Sequence, residues 1–201
     1  MHNETLGYLA PSEGRFEYLT LSFSPFTVPI RSRWRNNGVS ADFLGDYVIT
    51  FLPNDKGAAK AEGLQNEIKH AVTYVSNELL ENAMKYREPG VDIPIGIHLE
   101  LSSEQITVRA INGVGFEQAT RYKDFVKEIL QGDASELLVK QLEETAEGTE
   151  TAHSCLGLLT IINDYQAQLG WKFEVHPTFS ETMTVTTSVV LRVGHLSGAA
   201  A

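Results

Sequence analysis

The chain has few of the residues that mark several common classes of protein. It contains one cysteine in 201 residues, so it cannot form an internal disulfide, which fits a reducing compartment. It contains 16 Lys and Arg but 26 Asp and Glu. The resulting formal charge of −10 argues against a surface that binds nucleic acid. No segment is apolar enough to span a bilayer, and the start shows no basic stretch followed by an apolar run. We therefore expect a cytoplasmic protein that binds neither nucleic acid nor membrane.

The chain does have enough apolar sequence for one core. Hydrophobic residues make up 42% and charged residues 21%, as in a globular domain. Periodicity and turn signals predict strands at 16–23, 95–101, 106–110, 171–175 and 183–193, and helices at 34–52, 58–86, 116–130, 134–146 and 156–169. This order predicts an α+β fold: a two-layer sandwich in which a mixed, mostly antiparallel sheet carries helices on one face.

The same pattern suggests a division of the chain. We expect an N-terminal extension of a strand plus a helix at residues 1–57 and a main domain at residues 58–194. Within that domain we expect a lid-like insert at residues 116–152, and after it a disordered tail at residues 195–201. In the extension, four aromatic side chains suggest either an interaction patch or, as the default, core packing: Trp34, Phe43, Tyr47 and Phe51.

The predicted helix 58–86 carries two lines of side chains. One is an apolar stripe at three- and four-residue steps, formed by Ile68, Val72, Val75 and Leu79. Beside it, Glu78, Asn82 and Lys85 follow the same spacing and rise one above the other. An amide oxygen can ligate Mg²⁺, an amine can contact phosphate, and a carboxylate can act as a base. This second line therefore suits a metal-bound polyphosphate, although polar residues on the wet side of a helix are also ordinary.

The sequence Glu78-x-x-x-Asn82-Ala-x-Lys85-Tyr resembles the N box of the Bergerat-fold ATPases. That family contains DNA gyrase, the heat-shock chaperone ATPase, sensor histidine kinases and the anti-sigma-factor serine kinases. The resemblance covers residues 60–193 and implies ATP and Mg²⁺ as cofactors, with the family's ATP lid at the predicted insert. It assigns Mg²⁺ binding to Asn82, the role of base or water-positioning residue to Glu78, and contact with phosphate to Lys85.

The family's first glycine box, Asp-x-Gly-x-Gly, corresponds to the segment Ile111-Asn112-Gly113-Val114-Gly115. Gly113 and Gly115 are retained, and they allow the backbone to turn and approach a ligand closely. The Asp that reads adenine in the family is replaced by Ile111, which offers no hydrogen bond. Asn112 comes one position later, where a strand side chain points to the other face, so it contributes only if the register shifts.

The second glycine box, Gly-x-Gly-Leu, corresponds to Cys155-Leu-Gly157-Leu. Gly157 matches the family, while Cys155 takes the place of the first glycine. In the family this box aims backbone N–H groups and a helix N-terminus at phosphate. Ser154 offers a hydroxyl for phosphate or serves as an N-cap.

Three functions remain open from the sequence. The first is a stand-alone serine/threonine kinase of the anti-sigma-factor type, which acts on a small anti-sigma-antagonist-like protein and, like many members of that group, forms a homodimer. The second is a degenerate relative that has kept the fold and regulates by protein–protein binding, as Ile111 and Cys155 suggest. The third is an unrelated α+β interaction domain in which the N-box pattern is coincidental.

Overall fold

The computed structural model describes residues 2–11, 17–24, 30–52, 59–146, 156–179 and 181–196. The strands are β1 (Glu4–Gly7), β2 (Glu17–Phe23), β3 (Ile95–Leu101), β4 (Gln105–Gly115), β5 (Gln168–Val175) and β6 (Thr182–Arg192). The helices are α1 (Ile30–Ile49), α2 (Ala59–Lys85), α3 (Phe116–Gln131), α4 (Ala134–Ala146), α5 (Leu156–Tyr165) and α6 (Val193–Leu196). Within these ranges no helix is both long and apolar enough to cross a membrane.

The six strands form one open sheet in the order β1-β5-β6-β4-β3-β2. All five strand pairings are antiparallel, so the described sheet is not mixed. The predicted α+β sandwich is confirmed, and β3 and β4 form the expected hairpin. Both edge strands, β1 and β2, come from the first 57 residues. The N-terminal extension therefore contributes to the same sheet as the main domain.

The core lies between the sheet and α2, α3 and α5. The predicted apolar stripe of α2 is confirmed, because its four side chains are at most 1% exposed: Ile68, Val72, Val75 and Leu79. Every second residue of β3 is buried below these helices, as its alternation predicted. Helix α1 packs on α2, and Gly45 permits the close approach because a side chain there would overlap Thr73.

Several elements differ from the sequence prediction: α1 spans Ile30–Ile49 where 34–52 was predicted, and β5 begins at Gln168 where 171 was predicted. Strand β1 was not predicted, since four residues give too short an alternation to recognise. Helix α5 ends at Tyr165, not at Leu169, because Gln166 has a left-handed φ of 48° and β5 begins two residues later. Strand β4 runs on to Gly115, since it keeps pairing with β6 as far as Thr182.

The C-terminal segment also departs from its prediction. Residues 193–196 form the short helix α6, and Leu196 is buried against the core, where the sequence predicted the start of a disordered tail. Residues 197–201 lie outside the described part of the chain.

Candidate functional site

The second line of side chains on α2, formed by Glu78, Asn82 and Lys85, faces α3 and α5 over part of its length. Glu78 and Asn82 are half-buried, one helical turn apart. Lys85 is exposed, and its Nζ lies 5.4 Å from the centre of the Tyr86 ring. Tyr86 lines the same cleft as Asn82, whereas Lys85 does not. The structure thus places two of the three predicted residues toward the interior and the third at the rim.

Asn82 lines a cleft of about 340 Å³ between α2 and α3, which we name the α2–α3 cleft. Its other lining residues are Tyr86, Gln118, Arg121, Tyr122, Phe125 and Leu158. Below the cleft, against the sheet, is an inner cavity of about 20 Å³ that also touches Asn82 and Asn112. A space of that size holds about one water molecule. The floor of the cleft is therefore almost filled by protein.

The register of β4 decides which residue of the first glycine box faces this site. Asn112 is 6% exposed, lies on the helix-facing side of the sheet and lines the inner cavity with Asn82. Ile111 alternates with it and lies on the opposite face, beside Gly96 of β3. The expectation that Ile111 occupies the inward-facing, adenine-reading position is therefore wrong. Asn112 is the residue of this box whose side chain reaches the site, without any shift of register.

The two glycines of the first box lie within β4, not in a loop. A side chain at Gly113 would overlap Ile93, and one at Gly115 would overlap the carboxylate of Glu88. The segment that follows α2 packs against these positions, and the Glu88 N–H donates to the Gly113 carbonyl at 2.8 Å. The space beside these two glycines, which we expected a ligand to approach, is therefore occupied by Ile93 and Glu88 of the chain itself.

The second glycine box meets the N box. Gly157 lies in the first turn of α5, and the carboxylate of Glu78 occupies the space that a side chain at residue 157 would need. The absence of a side chain at residue 157 leaves room for the Glu78 carboxylate against the α5 backbone. Ser154 and Cys155 lie outside the described residues.

The environment of Glu78 favours its protonated form. Burial raises the pKa of Glu78 above its ordinary 4.5, and the nearby charge of Glu81 raises it further. Glu81 is itself held by Asn77, whose Nδ2 donates to Glu81 Oε1 at 2.9 Å. One turn before Glu78, burial and then the charge of Glu78 raise the pKa of Tyr74. Glu78 is thus a half-buried carboxyl group whose pKa is perturbed, as is common at functional sites.

We expect Glu78→Gln to change how stability depends on pH. The folded state holds the Glu78 proton more tightly than the unfolded chain does. The stability that the protonated carboxyl contributes is therefore complete below the ordinary pKa of 4.5, and it is lost as pH rises through the folded-state pKa. Glutamine does not ionise, so the variant should gain stability over the wild type as pH rises above about 4.5. Urea denaturation below and above this pH measures the difference.

The exposed Glu117 on α3 provides the control. Glu117→Gln should show no such gain relative to the wild type. Parallel pH profiles of the wild type and Glu78→Gln would show that Glu78 is not perturbed by its surroundings.

We expect Gly157→Ala to expel the Glu78 carboxylate from its position against α5. The new methyl group overlaps the end of a flexible side chain, which can rotate away, and alanine favours the helix by about 1 kcal/mol. The variant should therefore fold normally, while the pKa of Glu78 returns toward 4.5. A carbon-13 NMR titration of the Glu78 carboxyl measures this. An unchanged titration curve would contradict the contact between Glu78 and α5.

The predicted lid region begins with α3, which is fastened to the sheet through Tyr122. The Nε1 of buried Trp171 donates to the Tyr122 hydroxyl at 2.8 Å, and Thr187 Oγ1 lies 3.4 Å from the same oxygen. On its other side the Tyr122 ring stacks with Tyr86 of α2, with ring centres 6.4 Å apart. Tyr122 thereby closes the space between α2 and the sheet.

Sequence reasoning missed the α3 side of the cleft. Gln118, Arg121, Tyr122 and Phe125 recur at three- and four-residue steps, so they share one face of the helix. That spacing was visible in the sequence. What it did not reveal is that this face lies against α2.

A larger cavity lies elsewhere, at the end of β4 and the start of α3, and has a volume of about 780 Å³. Glu88, Glu117 and Glu181 are among the residues that line it. Arg121 also lines it, but Arg121 Nη1 pairs with Glu117 Oε1 at 3.4 Å. Three carboxylates disfavour a polyphosphate by charge repulsion. We therefore assign the candidate nucleotide site to the smaller α2–α3 cleft.

Comparison with known proteins adds a likeness of fold. No protein-family model matches the chain, and no curated protein matches it in sequence. A chain of the crystal structure of the SiaB-SiaC complex from Pseudomonas aeruginosa is similar, with a TM-score of 0.54 and 17% identity. The similarity covers 85% of this chain and 89% of that chain. At this identity it shows a shared fold.

Proposed function

We propose that the protein is a regulatory ATP-binding protein that resembles the anti-sigma-type serine/threonine kinases and acts on a small partner protein. The observation that carries the proposal is the meeting of three separate sequence motifs at one place. Glu78 of the N box lies against Gly157 of the second glycine box, and Asn82 of the N box lines the inner cavity together with Asn112 of the first glycine box. A coincidental N-box pattern gives no reason for this convergence.

The residues present suit Mg²⁺. Asn82 offers an amide oxygen, a hard ligand of the kind that Mg²⁺ prefers, and the Glu78 carboxyl lies one turn away on α2. Burial and the neighbouring Glu81 destabilise the ionised form of Glu78, so a nearby cation would favour ionisation and lower its pKa. Magnesium, when bound, would neutralise charge on the polyphosphate.

The cleft also offers surfaces for a nucleotide. Tyr86, Tyr122 and Phe125 present aromatic rings on which a base can stack. Lys85 lies beside the cleft and can reach a phosphate that projects from it. The volume of about 340 Å³ is at the lower end of the range for small-molecule sites.

Glu78 is the group we assign to the reaction itself. When ionised, the Glu78 carboxylate can orient or deprotonate an acceptor hydroxyl. The acceptor would be a Ser or Thr of a partner protein. The likeness to a chain from a two-protein complex supports a partner of this kind.

NMR of the nitrogen-15-labelled protein tests the location of the site. Mg²⁺ and ATP added together should shift the Asn82 side-chain amide and the Gly157 backbone amide, while ATP with EDTA should shift them less. Shifts confined to residues such as Glu88 and Glu181 would instead place the nucleotide in the larger cavity and overturn the assignment.

A second function is favoured by how completely the floor of the cleft is filled. The inner cavity holds about 20 Å³, Tyr122 closes it, and Asn112 stands where a carboxylate would read adenine. A relative that has lost nucleotide binding and regulates by binding a partner would have these features. Such a protein would show no nucleotide-dependent shift at either amide.

A further inference from the structure

The face of the sheet opposite the helices carries a chain of polar side chains. Thr20 of β2 lies directly across from His98 of β3, and His98 lies directly across from Arg109 of β4. Glu100 comes two residues after His98, so its side chain shares this face. Neighbouring strands therefore bring together a hydroxyl, an imidazole, a carboxylate and a guanidinium, on the other side of the sheet from the α2–α3 cleft.

These side chains are joined end to end. The Thr20 hydroxyl lies 2.6 Å from His98 Nδ1, and His98 Nε2 lies 3.0 Å from Glu100 Oε1. The second carboxylate oxygen, Glu100 Oε2, lies 2.7 Å from Arg109 Nη1. Arg109 Nη2 donates in turn to the Ala10 carbonyl at 3.0 Å. Each group is thus held by the next, as far as the backbone of the N-terminal segment.

The Glu100 carboxylate decides which nitrogen of His98 carries the proton. An ionised carboxylate only accepts hydrogen bonds, so His98 Nε2–H donates to it and the neutral ring keeps a lone pair on Nδ1. That lone pair faces Thr20, whose hydroxyl is the donor in the 2.6 Å contact. A base that a carboxylate orients, and that accepts from a hydroxyl, is the arrangement that activates hydroxyl nucleophiles.

The hydroxyl end of this chain is open to solvent, while the groups behind it are shielded. Thr20 is exposed, the His98 side chain is 25% exposed, and the Glu100 side chain is 12% exposed. The ring of Tyr18 lies beside His98, with ring centres 5.8 Å apart, and offers a surface for an acyl group. Strand β2 is an edge of the described sheet, so alternate N–H groups at or next to Thr20 point away from β3. Such an N–H can stabilise negative charge on a carbonyl oxygen.

We propose that Thr20 is an acyl-accepting nucleophile, with His98 as its general base, and that the substrates are activated acyl esters. Thr20 Oγ1 forms a bond to the carbonyl carbon while its proton passes to His98 Nδ1. The bond from that carbon to the leaving oxygen then breaks, and the leaving oxygen takes the proton from His98. Hydrolysis of the Thr20 ester by water returns the free hydroxyl. Glu100 and Arg109 are positioning residues, because they act through the imidazole.

An uncharged ester suits this site better than a phosphate donor. The Glu100 carboxylate beside the imidazole repels a polyphosphate, whereas an ester carries no charge. A good leaving group also lowers the demand on the site, since removal of the Thr20 proton is then the main assistance that the reaction needs.

Acetylation of the full chain by p-nitrophenyl acetate, followed by peptide mass spectrometry, tests the assignment. Thr20 should be acetylated about 100-fold faster than Ser22, since general base catalysis contributes about 10²- to 10⁴-fold. Ser22 is the internal control, because its exposed hydroxyl lies on the same face of β2 but opposite Gly96. His98→Gln should slow acetylation of Thr20 about 100-fold and leave that of Ser22 unchanged. Equal rates at the two hydroxyls, or a Thr20 rate that His98→Gln does not lower, would overturn the inference.

Glu100→Gln tests the positioning role through the protonation of the His98 ring. The amide has one oxygen, which the cationic Arg109 should take as the stronger donor, so the amide NH₂ turns toward His98. His98 Nε2 must then accept, Nδ1 carries the proton, and the base for Thr20 is lost. Nitrogen-15 NMR of the imidazole should show the Nε2–H form in the wild type and the Nδ1–H form in the variant, with acetylation of Thr20 slowed about tenfold or more. A wild type in the Nδ1–H form would contradict the inference whether or not any variant folds.

Discussion

Asn82→Ala is expected to abolish magnesium-dependent nucleotide binding while the fold is retained. Outer-shell residues around bound metals contribute about 10- to 100-fold to affinity, so loss of a direct ligand should cost about 100-fold or more. Asn82 is half-buried and lines the α2–α3 cleft, so truncation should change the free energy of unfolding by about 1 kcal/mol or less. Isothermal titration with Mg²⁺ and ATP, and urea denaturation, measure the two effects.

Asn77→Ala is a matched control on the same helix. Asn77 has the same side chain but bonds to Glu81 and does not line the cleft. It should leave nucleotide affinity nearly unchanged. If Asn82→Ala lowered stability by several kcal/mol, or if both variants bound nucleotide like the wild type, Asn82 would not be a ligand.

Trp171→Ala should be the most destabilising of the substitutions considered. Trp171 is fully buried in β5, and removal of a buried aromatic side chain costs about 3–5 kcal/mol. The change also leaves the Tyr122 hydroxyl without the donor that fastens α3 to the sheet. Urea denaturation should show the loss of stability, and hydrogen exchange should show the largest increase in α3.

Trp171→Phe separates the two contributions. Phenylalanine retains much of the buried surface but has no Nε1 donor, so the loss attributable to the hydrogen bond should be about 1–3 kcal/mol. Hydrogen exchange in α3 should still increase. A Trp171→Ala variant that lost less than about 1 kcal/mol would contradict the packing of Trp171 against α3.

The parts of the fold that follow from local periodicity were predictable. The α2 stripe that contains Ile68 and Leu79 has strict helical spacing, and β3 alternates without interruption, so each fixes its buried face from its own sequence. Strand β1 was not predictable in this way. Its four residues are held by pairing with β5, where Leu6 lies opposite Trp171, and that pairing joins distant parts of the chain.

In the candidate site, too, local spacing made some residues predictable, while others depended on contacts between distant parts of the chain. Glu78 and Asn82 were recognisable because one helix sets their spacing. The roles of Ile111 and Asn112 depend on how β4 pairs with β6, and the strand alone does not decide which of the two faces inward. The contact that explains Gly157 comes from α2, far away in sequence, so the residue was identified from a motif but its physical role required the structure.

Isothermal titration of the wild-type chain with ATP, in the presence of Mg²⁺ and then of EDTA, tests the proposed nucleotide site most directly. We expect a dissociation constant in the micromolar range with Mg²⁺ and markedly weaker binding with EDTA. A dissociation constant of 1 μM corresponds to a binding free energy of about −8 kcal/mol. Absence of heat at millimolar ATP, with no difference between Mg²⁺ and EDTA, would contradict an ATP-binding function. The fold would then serve as a scaffold for protein–protein binding.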